Sequence, residues 1–194
     1  MARSKEFDPD AALQAALELF WRRGYEATSM ADLVDHLGIA RASIYGTFGS
    51  KRELYEKALA SYAGARNPAQ LAALERPGPA LDAVRAYVRG YVGECVHDDE
   101  QRGCFVTNTA VELAPHDADA ARVVLGTWDA MESALTAALD RAAAAGELPA
   151  GRDPRGLARM LVVLLQGMRV VGKTGGDPAR LRDASDTALS LLDG

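Results

Sequence analysis

The chain has 194 residues, of which 48% are hydrophobic and 25% charged, a composition typical of a soluble globular protein with one large or two small domains. The longest apolar run, Met160 to Leu165, is far too short to span a membrane, and residues 1–10 lack the apolar core of a signal peptide. The formal net charge is −5, but residues 1–66 hold nine basic and nine acidic side chains, so the acidic excess falls on residues 67–194. We therefore expect a cytoplasmic protein, not associated with a membrane, whose N-terminal third is the part best suited to a nucleic acid partner.

The spacing of hydrophobic residues is helical along nearly the whole chain and no strand-like alternation appears, so the sequence predicts an all-α fold. Near the N-terminus, Asp8 followed by Pro9 is typical of a helix start, and Gly24 of a helix end. Thr28 or Ser29 is the predicted N-cap of the second helix. The first four predicted helices cover 8–24, 29–38, about 40–46, and the residues that follow the capping box of Ser50 and Glu53.

Two segments rich in glycine and proline, GARNPAQ and ERPGPA, favour a break between two parts of the chain. We accordingly predict an N-terminal domain at 1–66 and a larger helical domain at 67–194. The helices predicted in this second domain cover about 79–97, 105–113, 117–145, 153–173 and 178–192.

The second and third helices, joined by a turn at Gly38, form a predicted helix-turn-helix. If Ile44 and Phe48 pack inward, the remaining side chains point away from the core: Arg41, Ala42, Ser43, Tyr45 and Thr47. The second helix of such a motif enters the major groove of DNA, where Arg41 can bind a guanine edge and Tyr45 and Thr47 can donate to phosphates. Lys51, at the start of the fourth helix, adds a cation for a phosphate. The alternative is a plain packing unit with a solvated surface arginine.

Residues 10–57 resemble the N-terminal domain of the TetR/AcrR family of transcriptional regulators. The resemblance rests on a helix ending in Phe-x-x-x-Gly-Tyr, then Thr-Ser-Met, Gly-Ile and Tyr-x-x-Phe-x-x-Lys-x-x-Leu. It implies that Thr28, Tyr45 and Lys51 contact phosphates, and that Arg41, Ala42, Ser43 and Thr47 face bases or the DNA backbone. It also implies a homodimer formed through helices 153–173 and 178–192, bound to near-palindromic double-stranded operator DNA.

The same resemblance implies that the C-terminal domain binds a small effector, whose identity the sequence does not give. We expect an apolar or aromatic molecule in a pocket walled by aromatic, methionine and amide side chains: Tyr91, Phe105, Asn108, Trp128, Met131 and Met168. Each of these residues has the simpler alternative of being ordinary core. The family pattern further implies that the effector shifts the helix at 79–97, which would contact the fourth helix and thereby the DNA-binding domain.

Cys104 follows Gly103 at a predicted helix start, where the helix dipole is expected to lower the pKa of a thiol. This residue gives a second hypothesis, a redox or electrophile sensor, against the alternative of a small buried hydrophobic side chain. A helical interaction module without DNA binding is a third. The sequence predicts neither a metal site nor a cofactor, and enzyme motifs such as Gly-x-Ser-x-Gly, the phosphate-binding GxxxxGK[ST] and His-Glu-x-x-His are absent. The leading prediction is a ligand-responsive DNA-binding regulator, and the family pattern implies that it is a repressor.

Overall fold

The computed structural model describes residues 7–193, apart from the side chain of Asn67, and the predicted all-α fold is confirmed. Nine α-helices and one 3₁₀ turn make up the secondary structure of these residues. In chain order they are α1 (Pro9–Arg23), α2 (Met30–Leu37), α3 (Arg41–Phe48), α4 (Lys51–Leu71), the 3₁₀ turn (Ala72–Glu75), α5 (Ala80–Val96), α6 (Phe105–Glu112), α7 (Ala118–Ala144), α8 (Pro154–Gly172) and α9 (Pro178–Ser190).

Short polar side chains cap the N-termini of most of these helices. They accept hydrogen bonds from backbone N–H groups that have no partner within the helix. Ser29 and Asp32 form a capping box at α2, and Ser50 and Glu53 form one at α4. The turn between α2 and α3 contains Gly38 in the left-handed conformation, with φ 64°, which a side chain would disfavour. The local sequence therefore fixes where α2 and α4 begin and where the chain turns between α2 and α3.

The hydrophobic interior consists of two clusters that do not follow the predicted division at residue 66. The first cluster lies among α1–α4 and is completed by α6 and the N-terminal part of α7, including Phe105 and Val124. The second lies among α5, α7, α8 and α9, around Leu135, Leu161 and Leu165. Helix α6 and the N-terminal part of α7 thus complete the hydrophobic cluster of the N-terminal helices. The domain boundary at residue 66 stays a proposal.

Helix α4 departs from the sequence prediction because it runs through GARNPAQ, with Pro68 inside it, to Leu71. Proline removes one backbone hydrogen bond and normally ends or kinks a helix. Here tertiary contacts oppose that preference, since the last turns of α4 pack on the 3₁₀ turn and bond to α5. Of the two predicted breaks, the structure keeps ERPGPA, just before α5.

Helix α8 contains the longest apolar run of the chain, Met160 to Leu165. Residues of this run lie on both the buried and the exposed side of the helix. Leu161, Val162 and Leu165 are buried, whereas Val163 is 73% exposed. The run is therefore wider than this chain's own core requires. Within residues 7–193, the helices are each too short or too polar to cross a membrane.

Candidate DNA interface and effector cavity

Helix α3 presents a polar face opposite its two buried anchors. Ile44 and Phe48 are buried against the other N-terminal helices. The predicted DNA-facing residues divide by exposure: Arg41, Ala42, Tyr45 and Thr47 are exposed, and Ser43 is half-buried. Arg41 and Tyr45 lie four residues apart, so their side chains share one side of the helix. The geometry leaves this face open to a large partner.

Thr28 does not lie on that face, and its predicted side-chain contact with a phosphate is wrong for this structure. The residue is 0% exposed, and its hydroxyl donates a 2.7 Å hydrogen bond to the carbonyl of Gly24. The reason is that Ser29, not Thr28, is the N-cap of α2, which leaves Thr28 inside the turn. Thr28 closes the loop between α1 and α2.

Lys51 is half-buried and bound to the same loop. Its Nζ donates to the carbonyl of Tyr25 at 2.8 Å and to that of Thr28 at 2.9 Å, and lies 4.0 Å from the centre of the Tyr25 ring. An ammonium has three N–H donors, so one is left for a phosphate. The sequence predicted the phosphate contact but missed that Lys51 also fixes the α1–α2 loop.

A carboxylate from α6 holds this loop from the opposite side. The backbone N–H groups of Tyr25 and Glu26 donate to the two carboxylate oxygens of Glu112 at 3.0 and 2.9 Å. Gly24 permits this approach, because a Cβ at that position would lie only 3.0 Å from the same oxygens. The chain separation of more than eighty residues explains why no sequence pattern predicted the contact.

Helix α4 is also bonded to α6 and to the start of α7. The hydroxyl groups of Tyr55 and Thr109 lie 2.8 Å apart in the interior, and Arg52 forms an ion pair with Asp117, the N-cap of α7. We expected α5 to contact α4, and it does so near the C-terminal end of α4, through Glu94. Helices α6 and α7 hold the half of α4 that adjoins the DNA-binding helices.

A small cavity lies between α4, α5, α6, α7 and α8, with a volume of about 20 Å³, which is room for about one water molecule. We call it the inner cavity. Eleven residues line it: Tyr62, Arg66, Gln70, Tyr91, Cys104, Val106, Thr127, Trp128, Met131, Gln166 and Arg169. Its wall is thus aromatic and apolar on one side and strongly polar on the other.

Of the six predicted effector residues, Tyr91, Trp128 and Met131 line the inner cavity, and the other three do not. Phe105 packs between the rings of Tyr55 and Tyr62, with ring centres 5.1 and 5.8 Å away, in the first hydrophobic cluster. Met168 is buried in the second cluster.

Asn108 is the third residue that the structure places elsewhere. Its amide donates to the carbonyl of Arg102 at 2.9 Å, and its side-chain oxygen accepts from Lys173 at 3.2 Å. Both ends of the amide therefore already have protein partners outside the inner cavity. Helical periodicity placed Phe105, Asn108 and Met168 on plausible faces but could not say which neighbour each face meets.

Four polar side chains from three helices meet beside the inner cavity, and we call them the charge cluster: Arg66, Gln70, Glu94 and Arg169. Arg66 and Arg169 each donate to Glu94 Oε2 at 2.5 Å, and Gln70 donates to Glu94 Oε1 at 3.0 Å. Burial alone would raise the pKa of Glu94, but the hydrogen bonds from Arg169 and Arg66 outweigh it and hold that pKa below its ordinary value. Glu94 is therefore ionised at neutral pH.

Arg169 is the most deeply buried member of the charge cluster, at 4% exposure. Burial by itself lowers the pKa of Arg169, but Tyr91, Cys95 and Glu94 raise that pKa by a larger amount. The net shift is therefore upward, and the guanidinium keeps its charge. Its carbon lies 4.0 Å from the centre of the Tyr91 ring. Sequence reasoning missed Arg169 because a single arginine in a helix resembles a surface residue.

Cys104 is half-buried at the start of α6, and its sulfur lies in the wall of the inner cavity. The hydroxyl of Tyr62 donates to it at 3.8 Å. Cys95 is buried, and neither cysteine forms a disulfide. Among residues 7–193, no group of three or more His, Cys, Asp or Glu side chains is arranged to hold a metal ion. The reactivity of Cys104 stays a prediction.

Comparisons with known proteins agree with this geometry. Residues 12–58 match the family described as bacterial regulatory proteins, tetR family, and residues 80–188 match the tetracyclin repressor-like C-terminal domain. The chain is 38% identical over 194 residues to the uncharacterized HTH-type transcriptional regulator YezE of Bacillus subtilis (strain 168), covering 100% of both proteins. It is 33% identical to the HTH-type transcriptional repressor ComR of Escherichia coli (strain K12), over 97% of this chain and 90% of ComR.

Among solved structures, a cysteine mutant of the TetR family transcriptional regulator CifR, complexed with a 26-base-pair double-strand operator DNA, superposes with a TM-score of 0.84. It is 30% identical, and the match covers 98% of this chain and 100% of CifR. The matched domains take in the helix-turn-helix and helices α5 to α8, which form most of the wall of the inner cavity. These regulators are not enzymes. The chain belongs to the TetR family of DNA-binding transcriptional regulators.

Proposed function

We propose that this protein is a cytoplasmic repressor that binds a near-palindromic operator as a homodimer and releases it when a small molecule occupies the inner cavity. The observation that carries the proposal is the pair of connections made by α6. The N-cap of α6, Cys104, lines the inner cavity. The last residue of α6, Glu112, holds the α1–α2 loop. The name of the relative ComR, a transcriptional repressor, supports repression over activation.

The DNA contacts follow from the open face of α3. Arg41 lies at the N-terminal end of α3, where side chains reach base edges, and Ala42 and Ser43 are small enough to permit close approach. Tyr45 and Thr47 are exposed and can donate to phosphates, together with the remaining donor of Lys51. CifR, a relative with the same fold, was captured on its operator DNA.

The proposed dimer forms through α8 and α9. Val163 and Val170 on α8, and Leu191 just after α9, are exposed apolar side chains. Burying them against a second copy removes apolar surface from water, which is the main favourable term in association. The two recognition helices would then lie about 34 Å apart, one turn of B-DNA.

The effector is held in this proposal by packing against Tyr91, Trp128 and Met131, with polar groups of the opposite wall fixing its orientation. A cavity with room for about one water has to widen, and α6 is one of its walls. A shift of α6 would carry Glu112 with it and alter the α1–α2 loop. The effector thereby favours a conformation that fits DNA poorly, as release requires.

The experiment that tests the function is selection of binding sites from random DNA, followed by titration of the selected site. We expect a near-palindrome bound by two copies of the chain. Val163→Glu should give monomers that lose operator affinity, whereas Val111→Glu, at a similarly exposed valine (70%) on α6, should stay dimeric. A wild-type monomer that binds the selected site tightly would contradict the proposal.

Cys104 supports a second candidate, in which oxidants or electrophiles trigger release. Its sulfur lies in the same cavity wall that the non-covalent effector would contact. Cys104→Ser should then abolish release by thiol-reactive compounds and leave release by non-covalent ligands intact. Equal release of the variant and the wild type by an electrophile would exclude this mechanism. A helical module without DNA binding is disfavoured by the open polar face of α3.

A further inference from the structure

Among residues 7–193, two N–H groups in the wall of the inner cavity lack an acceptor. The Nε of Arg169 and the Nε1 of Trp128 are both buried, and neither has a hydrogen-bond partner in this part of the chain. Both residues line the inner cavity. Buried donors are nearly always paired, because an unpaired one has lost its hydration without replacement. Their convergence on one cavity indicates a ligand that supplies acceptor atoms.

The net charge of the charge cluster also favours an acceptor, and specifically one that is negatively charged. Arg66 and Arg169 share one carboxylate, that of Glu94, so the cluster carries one excess positive charge. Tyr91 supplies no second negative charge, because burial raises its pKa to about 12. Arg66 is partly solvated, but Arg169 is almost fully buried. A buried charge that is only half compensated is unfavourable unless an anion joins it.

We propose that the inner cavity is the binding site of a small organic monoanion, a carboxylate with an apolar or aromatic body, anchored by Arg169 and Trp128. The carboxylate accepts from Arg169 Nε and Trp128 Nε1, and the body packs against Tyr91. This inference rests on the proposed function for its effect on DNA. It replaces the expected apolar effector, because a ligand without an anionic acceptor leaves both donors and the excess charge unsatisfied.

The surroundings of the inner cavity provide space for the body of such a ligand. An open groove of about 230 Å³ runs between α4 and α5, and Gln70 and Tyr91 line both this groove and the inner cavity. Glu94 lines the groove and receives its hydrogen bonds from the arginines of the inner cavity. The charge cluster is therefore the partition between the two spaces.

A ligand larger than one water has to part the charge cluster so that its body can enter the groove. Parting it separates Glu94 of α5 from Arg66 and Gln70 of α4. Helix α4 begins at Lys51 in the DNA-binding part, so the ligand acts on an element continuous with the DNA-binding helices. Anion binding and a change in α4 are thus one event.

The test uses the full-length protein and three probe pairs: acetate, butyrate and benzoate, each with its uncharged amide, titrated calorimetrically at fixed ionic strength. We expect at least one acid to bind, with its amide at least about tenfold weaker, since the charged acceptor is lost. Trp128→Phe keeps an aromatic ring, smaller than the indole, and removes the Nε1 donor, and it should weaken binding of the acid by about tenfold or more. Arg169→Met should abolish its binding, while Arg159→Met, at an exposed arginine of the same helix, should change nothing.

If Arg169→Met does not fold, Trp128→Phe decides the matter alone. The inference is overturned if no acid binds more tightly than its amide, or if Trp128→Phe binds the acid like the wild type. Operator titrations separate this failure from failure of the proposed function. Acid binding that leaves operator affinity unchanged keeps the anion site and contradicts ligand-controlled release. Release of the operator by uncharged compounds, without any binding of the acids, contradicts the anion site and keeps ligand-controlled release.

Discussion

Helix α3 and the charge cluster are both rich in polar side chains, yet they are built in opposite ways. The polar side chains of α3 point to solvent, where water satisfies them until a partner replaces it. Those of the charge cluster are bonded to one another, and one of them, Arg169, is only 4% exposed. Surface groups of the first kind contribute little to stability, whereas removing one partner of a buried pair is costly.

The difference bears on the two binding events of the proposed function. A face that already points outward can meet a rigid surface such as DNA without rearrangement. In that proposal, a site closed by its own ion pairs would have to open before it accepts a ligand, and the opening would move its supporting helices. Substitutions of exposed side chains on α3 should therefore change DNA binding alone. Substitutions in the charge cluster should change stability as well.

The largest effect is expected at Phe105, a fully buried residue at the start of α6, the helix that contacts both the α1–α2 loop and the inner cavity. Phe105→Ala removes a buried ring between Tyr55 and Tyr62 and should lower the free energy of unfolding by about 3–5 kcal/mol. Urea denaturation at equilibrium measures this. Val111→Ala, exposed on the same helix, is the control and should stay within about 0.5 kcal/mol of the wild type. A small loss at Phe105 would mean that this position faces an open pocket, as the sequence had suggested.

Arg41 tests the outward region by itself. Arg41→Ala should reduce discrimination at one base pair by about 1–3 kcal/mol. The free energy of unfolding should change by less than about 0.5 kcal/mol, because the side chain is exposed. Titrations of the selected operator and of its single-base-pair variants give the discrimination. Unchanged discrimination would show that α3 does not read bases at this position.

Lys51 is the residue most able to break the comparison, because it lies beside α3 and yet its ammonium group is bonded to protein carbonyls, like the members of the charge cluster. Lys51→Met removes two hydrogen bonds to loop carbonyls and should cost about 1–2 kcal/mol of stability. It should also weaken binding to all DNA sequences and reduce the salt dependence by about one phosphate contact. Lys57→Met, which loses a single bond to the carbonyl of Phe48, is the control. A stability loss with an unchanged salt dependence would assign Lys51 to the loop alone.

Glu112 should give the smallest of these effects and sharpen the link between the regions. Glu112→Gln leaves one acceptor for the two N–H groups of Tyr25 and Glu26, a loss of about 0.5–1 kcal/mol of stability. We expect near-normal operator affinity without effector and a weaker response to it, measured by fluorescence anisotropy. Glu18→Gln, at an exposed position of α1, makes the same change of charge and should respond like the wild type. A full response in Glu112→Gln would place the transmission elsewhere.

The N-terminal helices could be predicted closely because their signals are local. The capping box of Ser50 and Glu53, the Gly38 turn and the inward positions of Ile44 and Phe48 all lie within a few residues of the features they determine. The N-cap of α2 was left open between Thr28 and Ser29, since two neighbouring hydroxyl residues can each cap a helix, and the structure assigns it to Ser29. Arg41 and Tyr45 were placed correctly on the exposed face of α3.

The surroundings of the inner cavity could be predicted only in outline. Of the six residues predicted to bind an effector, Tyr91, Trp128 and Met131 line this cavity, whereas Phe105, Asn108 and Met168 meet other neighbours, and effector binding itself stays a prediction. The charge cluster had no sequence signal, because its members come from distant positions and each resembles a surface residue. Glu112 was missed for the same reason.

The amino-acid sequence by itself determined the helices, their caps, the helix-turn-helix and the family, since these depend on periodicity and on groups a few residues apart. Tertiary structure alone decided that α4 continues through Pro68, that Thr28 is buried, and that Arg66, Glu94 and Arg169 meet beside one cavity. Local hydrogen bonding and hydrophobic spacing fix where a helix lies along the chain. Which helices face each other depends on contacts between residues far apart in sequence, which the packed core selects.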